Sequence, residues 1–242
     1  MDSILIREQY KVVQAVYAER DYAVVEAVDI RDKETPVYLL NLYEGPFFHS
    51  YGKLFACIRQ EDFPGYHGVF LTGETLVAVF DTHRGVNIDE LFYTSDNWDW
   101  RVRLEVAEAL LHTALTLVNL PAELSCPLLL SENIFFRPPE PAVTLRYMVR
   151  PMEGVNPREL VLLTADNLKK ILPRRVTSQD AELDFMERLD QEVFPSVVPL
   201  YSAWREARER IREEYAQWEE KGFIRRWFSD RLRWVRRALK RR

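Results

Sequence analysis

Glycine is scarce and comes late: the 242 residues hold eight, and the first of them is Gly45. A loop that wraps phosphates with backbone N–H groups needs glycine for the close approach, so no such cradle is encoded before that point. Cysteine is almost missing too. Cys57 and Cys126 sit in apolar surroundings with no CxxC and no Cys/His cluster, which excludes the usual zinc spacings and points to a reducing, cytoplasmic compartment. The four histidines, His49, His67, His83 and His112, are scattered without HExxH or HxH spacing, so no metal is assigned. Neither GxSxG nor a Ser/His/Asp or Cys/His pattern is legible. No apolar run approaches the roughly 20 residues that cross a bilayer, and the start does not read as a signal peptide.

What is present is a globular composition, 47% apolar and 29% charged, sufficient for one bilobal domain or two small ones. The net charge of -5 conceals a split. Residues 222–242 carry nine Lys and Arg against the single acid Asp230, a local +8, which leaves -13 on the first 221 residues. Such asymmetry marks a tail that works on a different partner from the body.

In chain order, residues 10–17 (YKVVQAVY), 23–30 (AVVEAVDI) and 36–43 (PVYLLNLY) are β-branched and aromatic runs between polar turns, and predict three strands in a meander. Residues 49–60 have helical spacing; 65–71 and 75–80 predict two further strands around Thr72-Gly73-Glu74. After a polar crossing at 81–85, near which Asp81, His83 and Asp89 cluster as polar linker or as an acid/base pair, the pattern turns helical. A short turn at 88–92 precedes a long helix over 98–120, capped by Asp96 or Asn97 and ended by Pro121. Residues 128–136 and 143–147 then read as a hairpin across a Pro-rich turn. Helices are predicted over 156–163, 164–172, 178–192 and 200–221, the last with Trp204, Ile211, Tyr215 and Trp218 on one side. Residues 223–242 form a basic amphipathic pattern, with Ile224, Phe228, Leu232, Val235 and Leu239 at steps of four and three.

Five strands with one helix between the third and fourth, a long helix, and a hairpin opening on SENIFF (131–136) resemble a protein kinase, whose catalytic loop closes on PENILL. The resemblance runs from about Tyr10 to Leu200 and implies an α+β, bilobal protein kinase-like fold: a five-stranded antiparallel N-lobe sheet with one helix over residues 1–85, a mainly helical C-lobe over 86–200, and a helical extension over 201–242. It also implies which residues should carry phosphoryl transfer, and those are missing. With Asn133 on the metal-binding asparagine, the catalytic aspartate falls on Leu128, which cannot accept a proton. Tyr147 stands where the magnesium-binding aspartate belongs, and a phenol is a poor ligand for a hard cation. The phosphate-gripping lysine falls at Leu40 or Asn41, neither cationic, and the 49–60 helix has no acid to pair with one. Such a chain resembles a pseudokinase, needs no cofactor, and is not expected to be an enzyme.

The tail, with Trp227, Phe228 and Trp234 interleaved among Arg225, Arg226, Arg233, Arg236 and Arg237, fits a lipid-water interface with anionic headgroups. A solvated face against the acidic body is the plainer reading of the same residues. A kinase-like domain followed by a basic juxtamembrane helix resembles the membrane pseudokinase subunit of Gram-positive type VII secretion systems, the EssB/YukC type. That resemblance implies a scaffold at the cytoplasmic face of the membrane, the soluble part of a longer membrane protein, with protein partners and no nucleic acid. Two alternatives stay open: an atypical ATP-dependent phosphotransferase using displaced acids such as Glu132 or Asp184, and a helical adaptor whose tail binds nucleic acid.

Overall fold

The β-branched runs of the first half pair in a single antiparallel sheet. The structure, a computed structural model, describes residues 4–63, 65–90, 98–137, 140–191 and 194–221. Strands β1 (Leu5–Ile6), β2 (Tyr10–Ala18), β3 (Tyr22–Asp29), β4 (Val37–Tyr43), β5 (Tyr66–Thr72) and β6 (Thr75–Asp81) lie in the order β1-β2-β3-β4-β6-β5. The sheet is therefore six-stranded rather than five-stranded: β1 spans two residues, too short to leave a period in the sequence. Tyr10 of β2 stacks on Phe70 of β5 at 5.7 Å and Arg7 lies 5.0 Å over the same ring, although β3, β4 and β6 intervene in sheet order. Only a strongly curled sheet brings those strands together, and its curl encloses Ile6, Tyr10, Ala27, Leu40, Val77 and Val79.

Helix α1 (Gly45–Ala56) lies against β4 and β6 on the other face. It starts and stops four residues before the predicted 49–60, because the turn out of β4 is made by Gly45 at φ 50°, where a Cβ would meet Asp21 Oδ1 at 3.0 Å, and Pro46 pre-sets the first turn. Hydrophobic spacing alone could not locate that start. The polar residues at its old end form a 3-10 turn, Gln60–Asp62.

The second half is mainly helical: α2 (Trp100–Leu117), α3 (Ala122–Leu128), α4 (Pro157–Ile171), α5 (Asp180–Gln191) and α6 (Val197–Glu220), with a small sheet β7-β8-β9 made by Val86–Asn87, Ile134–Arg137 and Glu140–Leu145. The crossing between lobes is welded to the hairpin, for a Cβ on Gly85 would lie 2.5 Å from the Phe136 carbonyl oxygen. Several boundaries differ from expectation. Residues 128–136 are not one strand: Leu128 closes α3, Ser131–Asn133 is a 3-10 turn, and β8 starts at Ile134. An apolar run buried on all sides has no period to separate helix from strand. The pair 156–163 and 164–172 is one helix, since the Thr164 hydroxyl donates back to Leu160 O at 2.6 Å instead of capping a new one. Asn156 caps it, its side chain accepting from Arg158 N. The residue before α2 is Asp99; residues 88–90 are helical, while Asp96, Asn97 and residues 91–92 of the expected turn lie outside the described residues.

The expected break between residues 200 and 201 falls inside α6, which packs on α2, α4 and α5 with Trp204 and Ile211 wholly buried. A buried polar triad fastens these helices. Arg103 of α2 donates to Glu182 of α5 at 2.9 Å and to the Tyr215 hydroxyl of α6 at 3.1 Å, and Tyr215 donates to the other Glu182 oxygen at 2.5 Å. Both charges are almost fully excluded from water.

Candidate functional site between the two lobes

The VYLLNLY strand β4 has buried residues on both faces, and its register decides what reaches the interlobe site. Leu40 points into the enclosed cluster of the curled sheet. Asn41 faces the other way and is fully buried. Its Oδ1 accepts from the Tyr22 hydroxyl at 2.7 Å and from the backbone N–H of Val149 at 2.8 Å, while its Nδ2 donates to Tyr147 O at 2.8 Å. Tyr43, on the same face, donates its hydroxyl to Val149 O at 2.9 Å. Asn41 is thus spent on the backbone of residues 147–149.

The helical lobe grips the same segment from below. Asn133, fully buried, donates Nδ2 to Pro127 O at 2.7 Å and to Met148 O at 2.9 Å, and its own carbonyl accepts from Arg146 N at 2.7 Å. Asn133 Oδ1 has no partner among the described residues. Leu128 is fully buried in the adjoining core. Tyr147 is buried with its ring stacked on Phe80 at 5.4 Å, edge-on to Phe63 at 5.7 Å and tilted over His83 at 5.6 Å. Burial, with Asp81 nearby, pushes its hydroxyl up to about 12. Gly65, at φ 74°, exists where a side chain would strike that ring, a Cβ lying 2.6 Å from it. A phenol held protonated and packed among aromatic rings offers no anionic oxygen to a cation.

Sequence reasoning missed Arg150 and Tyr17, and named their neighbour Glu132 only as a displaced acid. Arg150 reaches across from the end of the pinned segment: its guanidinium lies 5.7 Å from the Tyr17 ring centroid, 3.5 Å from the Tyr17 hydroxyl and 3.5 Å from Glu132 Oε1. Tyr17 in turn donates to Glu19, in the turn between β2 and β3. Burial works against the charge, but Tyr17, Glu132 and Glu19 hold the guanidinium above its ordinary range. β2, the 131–133 turn and the segment after Tyr147 therefore meet at Arg150. A lone arginine in YMVRP carries no local signal of this, and the acids around it weaken its attraction for phosphate.

Of the expected site residues, Asn41, Asn133 and Tyr147 converge on residues 147–149, Leu128 lies beside them in the core, and Leu40 faces away. The Asp81, His83 and Asp89 cluster disperses. Asp81 pairs with His67 at 2.6 Å, half-buried His83 has its imidazole pushed down by burial, and Asp89 pairs with Lys170 at 2.5 Å. Asp184 is exposed on α5. Among the described residues no three His, Cys, Asp or Glu side chains are grouped to hold a metal, and no helix is long and apolar enough to cross a membrane. Arg225, Arg226, Trp227, Phe228, Arg233, Trp234, Arg236 and Arg237 lie outside the described residues.

No protein-family model and no curated protein matches the sequence. In fold the chain is similar to the crystal structure of the PknI kinase domain of Mycobacterium tuberculosis, with a TM-score of 0.55 at 12% identity; the match covers 86% of this chain and 99% of that one. Identity at that level speaks for the fold alone. The chain has a protein kinase-like fold, an α+β architecture of one curled antiparallel sheet and a helical lobe.

Proposed function

We propose that this chain is a pseudokinase, a catalytically inactive kinase-like domain that works as a protein-interaction scaffold in a membrane-associated assembly. The observation that carries the reading is the commitment of the polar groups. Asn41 and Asn133, at the positions that grip phosphate and metal in the family it resembles, are both spent on holding backbone 147–149. Phosphoryl transfer needs a cation on the phosphates, a carboxylate on the metal and a positioned base. Asn41, Tyr147 and Leu128 supply none of these. The unpartnered Asn133 oxygen alone is too little for a magnesium site, which needs near-octahedral oxygen ligation.

The test is a thermal-shift titration with ATP, with and without magnesium. The expected result is no saturable shift in either series; a saturable, magnesium-dependent rise in Tm sinks the reading and favours a phosphotransferase.

The membrane part of the proposal rests on sequence pattern: the +8 of residues 222–242 and the tryptophans among the arginines. A type VII secretion assembly is the setting that the architectural resemblance implies. Flotation with vesicles containing anionic lipid should carry the full chain upward and leave a chain shortened by residues 223–242 behind. Equal flotation of both forms removes the membrane role from the tail.

A further inference from the structure

The scaffold reading leaves open where a partner would dock, and one concave surface outside the interlobe site has the chemistry for it. Helix α1 presents Phe47, Tyr51 and Leu54, at steps of four and three, toward a groove of about 650 Å³. Its far walls are the segment between α2 and α3, at Pro121, and the segment beyond Arg150, at Pro151 and Met152. The groove is pre-formed. Tyr51 stacks on Tyr43 at 4.4 Å, so its floor rests on β4, and two prolines stiffen the opposite rim. Phe47, Leu54 and Met152 pack against the main core from one side and remain partly open to solvent on the other.

The rim carries two exposed acids, Glu123 and Glu153, with Lys53 across from them, and none of the three has an ion-pair partner among the described residues. Negative potential reaches the floor: burial first, and then the Glu123 charge, push the Tyr51 hydroxyl up. We infer that this groove docks an amphipathic helix of a partner protein, its apolar stripe laid along α1 and its basic side chains paired with Glu123 and Glu153. A helix laid in a groove, read by anchors at i, i+3 or i+4 and i+7, matches the stripe that α1 offers. The inference rests on the scaffold reading, but its test does not involve nucleotide. It can fail while the ATP titration stays flat, and the reverse.

Cys57 lies on the groove and is exposed, whereas Cys126 is buried, so alkylation of Cys57 reports occupancy locally. The probes are two short helical peptides with one leucine stripe, one flanked by lysine and the other by glutamate. At saturation the leucine-lysine peptide should slow iodoacetamide modification of Cys57 by about tenfold, and the leucine-glutamate peptide should not. Because the +8 tail repels the former and attracts the latter, tail binding cannot imitate this outcome. Leu54→Asp should abolish protection. Should Leu54→Asp fail to fold, the surface pair Glu123→Lys and Glu153→Lys, which leaves the core alone, should transfer protection to the glutamate peptide. Equal protection by both peptides, protection untouched by the charge reversal, or protection that rises with the chain's own concentration in place of peptide overturns the proposal; the last outcome assigns the groove to a second copy.

Discussion

Asn41 makes three buried hydrogen bonds, two of them to backbone groups more than a hundred residues away in sequence. Replacing it with leucine keeps the volume and orphans the Tyr147 carbonyl and the Val149 N–H in a site closed to water. Each buried group left unpaired costs about 1–3 kcal/mol. Asn41→Leu should therefore lower stability by about 3 kcal/mol in urea unfolding while the ATP titration stays flat; a loss within experimental error would mean that the lobes are held by packing alone. The sequence shows that neither Leu40 nor Asn41 is cationic, but not which of them faces the interlobe site. Both faces of β4 are covered, so burial does not alternate cleanly along it and cannot choose between Leu40 and Asn41. Its partners were beyond reach for a different reason: they are backbone atoms, and backbone has no sequence signature. Tyr147 was legible as the wrong side chain for a metal, yet the ring-shaped space that Phe80, Phe63 and Gly65 make for it was not.

Among the elements, α2, α5 and α6 share one almost fully buried ion pair outside the interlobe site. Burying Arg103 and Glu182 costs solvation that their mutual attraction and the Tyr215 hydroxyl offset. Removing one partner leaves the other charge stranded. Arg103→Ala should cost about 3–5 kcal/mol, and Arg103→Met combined with Glu182→Leu should cost far less, because the stranded charge is gone. Urea midpoints of the three proteins would decide it, and equal losses in both variants would assign the effect to packing. Element existence was readable from periodicity, since α2, α5 and α6 have clear apolar faces. Element edges were not readable where a different force sets them. Pro46 and Gly45 start α1, and the Thr164 hydroxyl turns inward within α4 instead of capping.

For the whole molecule, an aromatic core joins the two lobes, and it makes stability fall at alkaline pH. Tyr66 and Tyr147 have hydroxyls pushed up to about 12, chiefly by burial, and burial also raises Tyr22, Tyr43, Tyr51 and Tyr215. In the unfolded chain each would ionise near 10.0. Below that pH both states hold the proton and the contribution is complete; above it the unfolded state alone releases protons, so stability drains away up to about pH 12. Tyrosinate absorbance and loss of circular dichroism should rise together in that window. Tyrosinate forming well before the structure is lost would mean that the rings are wetter than their burial implies. The curl of the amino-terminal sheet has another consequence. Leu5–Ile6 runs beside β2, and Arg7 and Tyr10 close over Phe70, so residues 5–7 act as a seam. A protease that trims them would expose the nine-residue β2 as a free edge above an unroofed apolar cluster, a template for pairing with foreign strands. Solubility of preparations should thus depend on keeping residues 5–7 attached more than on any residue between the lobes.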